Sequence, residues 1–179
     1  MEIGGTLMEK TIEKKRIYTG KLLKLNANKV RLPSGRTSFR EYVAHPGAAA
    51  AVPFISENKI ILIRQYRYAI SGNLLEIPAG VTELGESPED TITRELIEET
   101  GYKANKIESL GWFYPSPGYT DEKIHLFKAS ELQLIQKEPQ EEIELVEVLF
   151  KEALLLIEKG GIIDGKTIIA LLICNHSSI

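Results

Sequence analysis

The sequence predicts an α+β fold in which helices cover the faces of a mixed β-sheet. Many short strand-like runs, few helical segments and the lack of any internal repeat support this prediction. A chain of 179 residues with 43% hydrophobic and 26% charged residues has the composition of about one globular domain with a substantial core. Strands mixed with helices of this kind stack in layers, so we expect a sandwich.

Strands are predicted where short apolar runs lie between turn residues. Residues 29–32 and 37–44 flank the turn sequence PSGR at 33–36, which indicates a β-hairpin. Residues 48–55 and 59–66 form a second predicted pair. Four further strands are expected at 74–77, 107–112, 124–128 and 144–150.

Three helices are predicted, and the first has clear boundaries. Ser87 is a favourable N-cap, Pro88 suits the first helical position, and Asp90 completes a capping box. Gly101 supplies the C-terminal stop. Four side chains of this helix are expected to face the core: Thr93, Leu96, Ile97 and Thr100. The other two helices are expected at 151–159 and 166–174.

Three carboxylates share one stripe of the first helix. Glu95, Glu98 and Glu99 are three and four residues apart, which places them on the same face. Like charges at these spacings repel by ~0.2–0.5 kcal/mol per exposed pair, so a cation among them would stabilise the cluster. Hard divalent metals take oxygen ligands, and the stripe therefore predicts a Mg²⁺ site in which Mn²⁺ could substitute. The alternative is an ordinary solvated acidic helix face.

The wider spacing around this stripe is that of a known motif. From Gly80 the chain runs five residues to Glu86 and seven more to RELIEETGY at 94–102. This pattern resembles the Nudix box of the Nudix hydrolases, and only Tyr102 departs from it, in place of an aliphatic residue. The resemblance implies a Nudix-type α/β/α sandwich with a mixed sheet. Residues 47–179 would form the hydrolase domain, and residues 1–46 a strand-rich extension.

The same resemblance implies roles for individual residues of the box. Four metal ligands are implied: Glu95, Glu98, Glu99 and the backbone carbonyl of Ala79. Arg94 would orient the glutamates from behind, and it can pair with Glu98 four residues further on. Glu86 would hold the loop of the box in place.

A proline-containing loop further along the chain indicates a subfamily. Pro117 lies 16 residues beyond Gly101, in the sequence SPGYTDE at 116–122. This loop, with LEIPAG at 75–80 and IIDGKT at 162–167, resembles the ADP-ribose pyrophosphatases. That resemblance implies hydrolysis of ADP-ribose, a nucleoside diphosphate, to AMP and ribose 5-phosphate. Two alternatives stay open: hydrolysis of another nucleotide sugar or damaged nucleotide, and a module that binds ADP-ribose without cleaving it.

Arginines and aromatic residues are the candidates for substrate binding. Arg40 and Arg67 could each bind the diphosphate bidentately, and a salt bridge is the competing account for both. Trp112, Tyr114 and Tyr119 offer stacking or ribose contacts, unless they are core aromatics beside a proline-stiffened connection. The loop itself contributes three predicted contacts: Pro117, Gly118 and Glu122.

The general base is expected on an acidic loop before the last core strand, as in the ADP-ribose pyrophosphatases. The matching segment here is KEPQEEI at 137–143. Glu141 is the first choice, Glu142 the second and Glu138 the third. A plain solvated loop is the alternative, and metal-bound hydroxide, Glu98 or Glu122 would then be the activating element.

Composition and charge bear on the partners and the compartment. A net charge of −3 gives no general attraction to nucleic acid or anionic membranes, and no apolar run approaches 18 residues. The single cysteine, Cys174, suits a reducing cytoplasm and is expected in the core. The subfamily forms homodimers through N-terminal segments that help to enclose the adenine. We therefore expect a homodimer in which Tyr18 stacks on that base.

Overall fold

The computed structural model describes residues 8–136 and 142–176. Within these ranges the chain forms eleven β-strands, three α-helices and a short 3₁₀ helix at Tyr68–Ile70. It divides into two compact units. One comprises the chain up to His45 with Ser116–Glu122, and the other comprises Pro46–Pro115 with the chain from Lys123 onward. The division into an extension and a hydrolase domain after residue 46 stays a prediction.

The first unit contains an antiparallel sheet with β3 at its centre. Its strands are β1 (Lys10–Glu13), β2 (Arg16–Thr19), β3 (Lys24–Arg31) and β4 (Thr37–Ala44). The register Arg31↔Thr37 and a 2.8 Å hydrogen bond from Leu32 N–H to the Arg36 carbonyl confirm the predicted hairpin. The sequence does not predict β1 and β2, because their side chains are all exposed and no buried alternation marks them.

The second unit contains a mixed sheet in the order β11-β6-β5-β10-β9, with β7 beside β6 and β8 beside β5. Its strands are β5 (Ala48–Ser56), β6 (Lys59–Arg67), β7 (Gly72–Glu76), β8 (Ala79–Val81), β9 (Tyr102–Phe113), β10 (Ile124–Leu134) and β11 (Glu144–Leu149). The β5–β10 pair is parallel and the other pairs are antiparallel. Strands β9 and β10 run longer than predicted, because their outer halves are too exposed to show an apolar pattern.

Alternation along β5 places helices on both faces of this sheet. The helices are α1 (Pro88–Thr100), α2 (Phe150–Glu158) and α3 (Gly165–His176). Ala48, Ala50 and Val52 join the buried cluster that contains side chains of α2 and α3. Ala49 and Ala51 join the cluster that contains side chains of α1. Successive side chains of a strand point to opposite faces, so the predicted α/β/α sandwich is confirmed.

Helix α1 begins and ends where the sequence predicts. The Ser87 hydroxyl accepts a hydrogen bond from Asp90 N–H at 3.1 Å, and the Asp90 carboxylate accepts one from Ser87 N–H at 3.1 Å. Gly101 caps the other end with φ +76°, a conformation that favours glycine.

The buried stripe of α1 differs from the predicted one. Leu96 and Thr100 are buried as expected, but Thr93 and Ile97 are only half-buried. Their places in the core are taken by residues on the other side of Leu96: Thr91, Ile92, Glu95 and Glu99. The stripe is therefore rotated toward the carboxylates, and two of the glutamates lie on the buried side of the helix.

Cys174 lies in the core, as predicted, and is 3% exposed. Burial raises the pKa of its thiol to about 11, so the thiol stays protonated at neutral pH and is a poor nucleophile. In the part of the chain that the structure describes, no helix is both long and apolar enough to cross a membrane.

Candidate active site

Arg94 is the centre of a carboxylate cluster formed by α1 and the loop before it. Its Nε and Nη2 donate to the two oxygens of Glu86 at 2.9 and 3.1 Å. Its Nη1 donates to Glu95 Oε1 at 2.6 Å and to Glu98 Oε2 at 3.1 Å. Nη2 also donates to the Val81 carbonyl at 3.2 Å. These contacts, foremost the one with Glu86, raise the pKa of Arg94, so the side chain is a permanent cation.

Glu86 ties the loop before α1 to the helix. Its Oε2 accepts hydrogen bonds from Glu83 N–H at 3.1 Å and from the Thr91 hydroxyl at 3.0 Å. The hydrogen bond from Arg94, followed by the one from the Glu83 backbone, lowers the pKa of Glu86 to about 2. The carboxylate is therefore ionised at neutral pH and engaged within the loop, which suits the holding role that the box implies.

Glu95 and Glu99 are buried on the sheet side of α1, at 8% and 3% exposure, while Glu98 is half-buried. Glu99 Oε2 accepts a hydrogen bond from Ala79 N–H at 2.9 Å. Ala79 belongs to β8, which pairs with β5 in the middle of the sheet. The sheet thus fixes the backbone of β8 against the helix, and the four predicted metal ligands come from these two adjacent elements.

The donor set suits a hard divalent cation in its chemistry, since it consists of carboxylate and carbonyl oxygens. The structure brings an oxygen of Glu95 and an oxygen of Glu98 to the same nitrogen of Arg94. Among residues 8–136 and 142–176, no three His, Cys, Asp or Glu side chains are already arranged as a metal shell. Arg94 supplies the positive charge of the cluster, and metal binding at this set stays a prediction.

Gly80 leaves room for the Glu95 carboxylate. A Cβ atom at position 80 would lie 1.8 Å from Glu95 Oε1 and 1.9 Å from its carboxyl carbon. No side chain fits at such distances, so the position requires glycine unless Glu95 moves.

We expect Gly80→Ala to reduce turnover by ~100-fold, because a displacement of about 1 Å at a reacting site costs that much. The free energy of unfolding should change little, since the displaced atoms are the end of a flexible side chain. Gly72→Ala is the matched control, because its added Cβ would be 3.8 Å from the nearest atom, the Ile70 carbonyl oxygen. Steady-state kinetics and thermal unfolding of both variants test this, and equal turnover in the two would contradict it.

A second charged cluster lies at the end of β7, around the fully buried Glu76. Arg67 donates to both Glu76 oxygens, from Nε at 2.7 Å and from Nη2 at 2.8 Å, and Lys166 Nζ donates to Oε2. Burial alone would raise the pKa of Glu76, but the contacts with Arg67 and Lys166 outweigh it and lower that pKa. Asp164 Oδ2 accepts from Lys166 Nζ at 3.1 Å and from the Thr167 hydroxyl at 2.6 Å.

The two arginines predicted to bind the diphosphate both form salt bridges. Arg67 pairs with Glu76 in the second unit, and Arg40 pairs with Glu9 in the first unit, with Nε at 2.9 Å from its carboxylate. The alternative given above, that each arginine forms a salt bridge, is therefore what the structure shows. Their binding of phosphate stays a prediction.

The remaining predicted substrate residues belong to the first unit. Tyr18, Pro117 and Gly118 are exposed. Glu122 is half-buried, with Oε1 at 3.9 Å from His45 Nε2. Their substrate contacts stay predictions.

The predicted aromatic contacts are exposed side chains. Trp112 and Tyr114 are 53% and 46% exposed, and their rings meet edge to face with centroids 5.2 Å apart. Lys123 Nζ lies 4.2 Å from the Trp112 ring centroid, a cation–π contact. Tyr119, in the first unit, is 61% exposed. The alternative that these three are core aromatics is therefore wrong.

The acidic loop is only partly described. Glu141, the first choice for the general base, and Glu138 lie outside the described residues. Glu142 is described and its side chain is exposed. The assignment of the base stays a prediction.

Sequence reasoning missed the Glu76 cluster. Glu76 and Lys166 lie 90 residues apart along the chain, and the contact between them is visible only in the fold. One signal was present, a glutamate within the apolar run LLEI at 74–77. A carboxylate in a buried strand needs a partner, so this run predicts one for Glu76 but does not identify the residue that supplies it.

Comparison with known proteins identifies the class. The model of the NUDIX domain matches residues 44–171, so the chain belongs to this family. The enzyme class predicted from the box, a Nudix hydrolase, is thereby confirmed.

Particular relatives resemble the chain over nearly its whole length. The ADP-ribose pyrophosphatase of Bacillus subtilis (strain 168) is 44% identical over 170 residues, which cover 93% of this chain and 92% of that protein. The methanol dehydrogenase activator of Bacillus methanolicus is 43% identical over 172 residues, which cover 94% and 93%. A crystal structure of an ADP compounds hydrolase superimposes with a TM-score of 0.86 at 22% identity, covering 97% and 96%, and shows the shared fold.

Proposed function

We propose that this protein is a Mg²⁺-dependent ADP-ribose pyrophosphatase that produces AMP and ribose 5-phosphate. The observation that carries the proposal is the carboxylate cluster around Arg94 at the positions of the Nudix box. The near full-length similarity to an ADP-ribose pyrophosphatase supports the choice of substrate. The substrate would be a small-molecule nucleoside diphosphate, and the protein would act in the cytoplasm.

The proposed ligands of the metal are the oxygens of the box: Glu95, Glu98, Glu99 and the Ala79 carbonyl. Mg²⁺ is the proposed ion, and Mn²⁺ could substitute. A bound divalent cation neutralises charge on phosphate oxygens and lowers the pKa of water. Arg94 would keep the Glu95 and Glu98 carboxylates from separating, because its Nη1 bonds to both. The Ala79 N–H would hold Glu99 in the same way.

The side chains of the protein have two proposed tasks in the reaction, to accept a proton from water and to bind the charged phosphate oxygens. Water attacks one phosphorus, the bridging P–O bond breaks, and the bridging oxygen leaves with the other phosphate. Glu141 is proposed to accept the proton of the attacking water, with Glu142 as second choice. Arg67 is proposed to bind diphosphate oxygens through the part of its guanidinium that does not face Glu76.

A substrate panel tests this function. We expect ADP-ribose to have the highest kcat/KM against GDP-mannose, UDP-glucose and an oxidised nucleoside triphosphate, with AMP and ribose 5-phosphate identified by chromatography. Preference for another member of the panel would reassign the substrate within the family. Tight binding of ADP-ribose without turnover would instead identify a binding module.

We also expect the protein to be a homodimer. Tyr18 and Ile17 in β2 are 57% and 50% exposed, and a partner chain would cover such apolar surface. Light scattering at working concentration should give twice the mass of the chain. A monomer would contradict the dimer and remove any contact of Tyr18 with adenine across an interface.

A further inference from the structure

The Glu76 cluster contains two cations and two carboxylates, all in the second unit. Arg67 and Lys166 both donate to Glu76 Oε2, and Lys166 also donates to Asp164. The formal charge of the four groups is zero. Lys166 and Asp164 are largely buried, at 12% and 16% side-chain exposure, so water does little to screen them.

Arg67 turns only one edge of its guanidinium to this cluster. Nε and Nη2 face Glu76, while Nη1 has no hydrogen-bond partner among residues 8–136 and 142–176. The side chain is 39% exposed. Its pKa is raised first by the hydrogen bonds with Glu76, and the charge of Glu99 adds to the effect. Its partner Glu76 lies three residues before Ala79, whose N–H donates to the proposed metal ligand Glu99.

The cluster is also fixed to the strand that leads to the box. The Thr167 hydroxyl donates to Asp164 Oδ2 and accepts from Ile77 N–H at 2.9 Å. Thr167 N–H donates to the same Asp164 oxygen at 3.0 Å, as at a helix N-cap. The start of α3 therefore holds the backbone two residues before Ala79.

We propose that Lys166 is a positioning residue for diphosphate binding. It holds Glu76 so that Arg67 presents Nη1 outward, and its positive charge keeps the cluster neutral. This inference rests on the proposed function, because it assigns the anion that Arg67 meets. Without Lys166, Glu76 would keep only Arg67 as a cation partner and Asp164 would have lost its own, and the net charge of −1 would oppose an anionic substrate.

The test begins with Lys166→Met. We expect KM for ADP-ribose to rise about tenfold, because the variant lacks a positive charge near the proposed diphosphate site. The value of kcat should change less than about threefold, since that charge acts on binding and not on the chemical step. The dissociation constant of inorganic pyrophosphate, measured by calorimetry in EDTA, should rise by the same factor. Lys59→Met is the matched control, since Lys59 pairs with Glu147 at 2.6 Å on the surface at the opposite end of β6. It should change neither quantity.

The variant Asp164→Asn separates charge from structure, since asparagine still caps a helix. Alone it gives the cluster a charge of +1 and should strengthen pyrophosphate binding about threefold or more. Combined with Lys166→Met it restores neutrality and should bring KM back to within about threefold of wild type. Asp164→Asn alone carries the test if Lys166→Met fails to fold.

Several results would overturn the inference. They are unchanged binding in Lys166→Met, a double variant no better than the single one, weaker binding in Asp164→Asn, or no pyrophosphate binding by the wild type. Failure of the proposed function looks different. In that case the wild type would not hydrolyse ADP-ribose, while pyrophosphate binding would still respond to these substitutions.

Discussion

Glu99→Gln should lower kcat by more than ~100-fold, because the substitution removes a carboxylate proposed to bind the metal directly. Loss of a residue that only hydrogen-bonds to a metal ligand already costs ~10–100-fold. The glutamine oxygen can still accept the hydrogen bond from Ala79 N–H, so the fold should be retained. Turnover of ADP-ribose at saturating Mg²⁺, with circular dichroism as the check on folding, measures this effect.

Two further variants test the same assignment, one at a second proposed ligand and one as a control. Glu95→Gln should behave like Glu99→Gln, since both carboxylates are buried beside β8. Glu89→Gln is the control, because Glu89 is an exposed residue in the first turn of the same helix. If Glu95→Gln and Glu99→Gln both kept near wild-type turnover, the assignment of the metal ligands would be wrong.

Glu141→Gln should depress kcat by about 10²–10⁴-fold, the usual contribution of a general base. KM should change far less, because proton transfer matters chiefly in the transition state. Comparison of kcat and KM with the wild type under the same Mg²⁺ concentration measures the effect. A change confined to KM would instead indicate a substrate contact.

The adjacent glutamate provides the matched control for the base. Glu142→Gln should cost much less, since we expect only Glu141 to reach the attacking water. Small and equal losses in both variants would remove this loop from the mechanism. The metal itself, Glu98 or Glu122 would then be the candidates that activate the water.

Local patterns in the sequence were sufficient to predict much of the fold. The caps of α1 depend on neighbouring residues, Ser87 with Asp90 and then Gly101, so they could be predicted without tertiary contacts. The hairpin of β3 and β4 follows from a turn sequence in the same way. The three-residue strand β8 shows no pattern of its own, because its place depends on pairing with β5.

In the candidate site too, some features follow from local sequence and others depend on tertiary packing. The stripe of glutamates and Arg94 follows from helical spacing, and the pairing of Arg94 with Glu98 was predictable. The burial of Glu95 and Glu99 depends on how α1 is rotated against the sheet, which the spacing does not specify. The contact between Glu76 and Lys166 depends on the packing of α3 against the end of β7, so no local pattern predicts it.

The most direct measurement is product analysis of ADP-ribose incubated with the wild-type protein, first with excess chelator and then after Mg²⁺ is added back. The account predicts no turnover with chelator, and stoichiometric AMP and ribose 5-phosphate once Mg²⁺ is restored. Hydrolysis that continues at the same rate in chelator, or intact ADP-ribose with Mg²⁺ present, would contradict it.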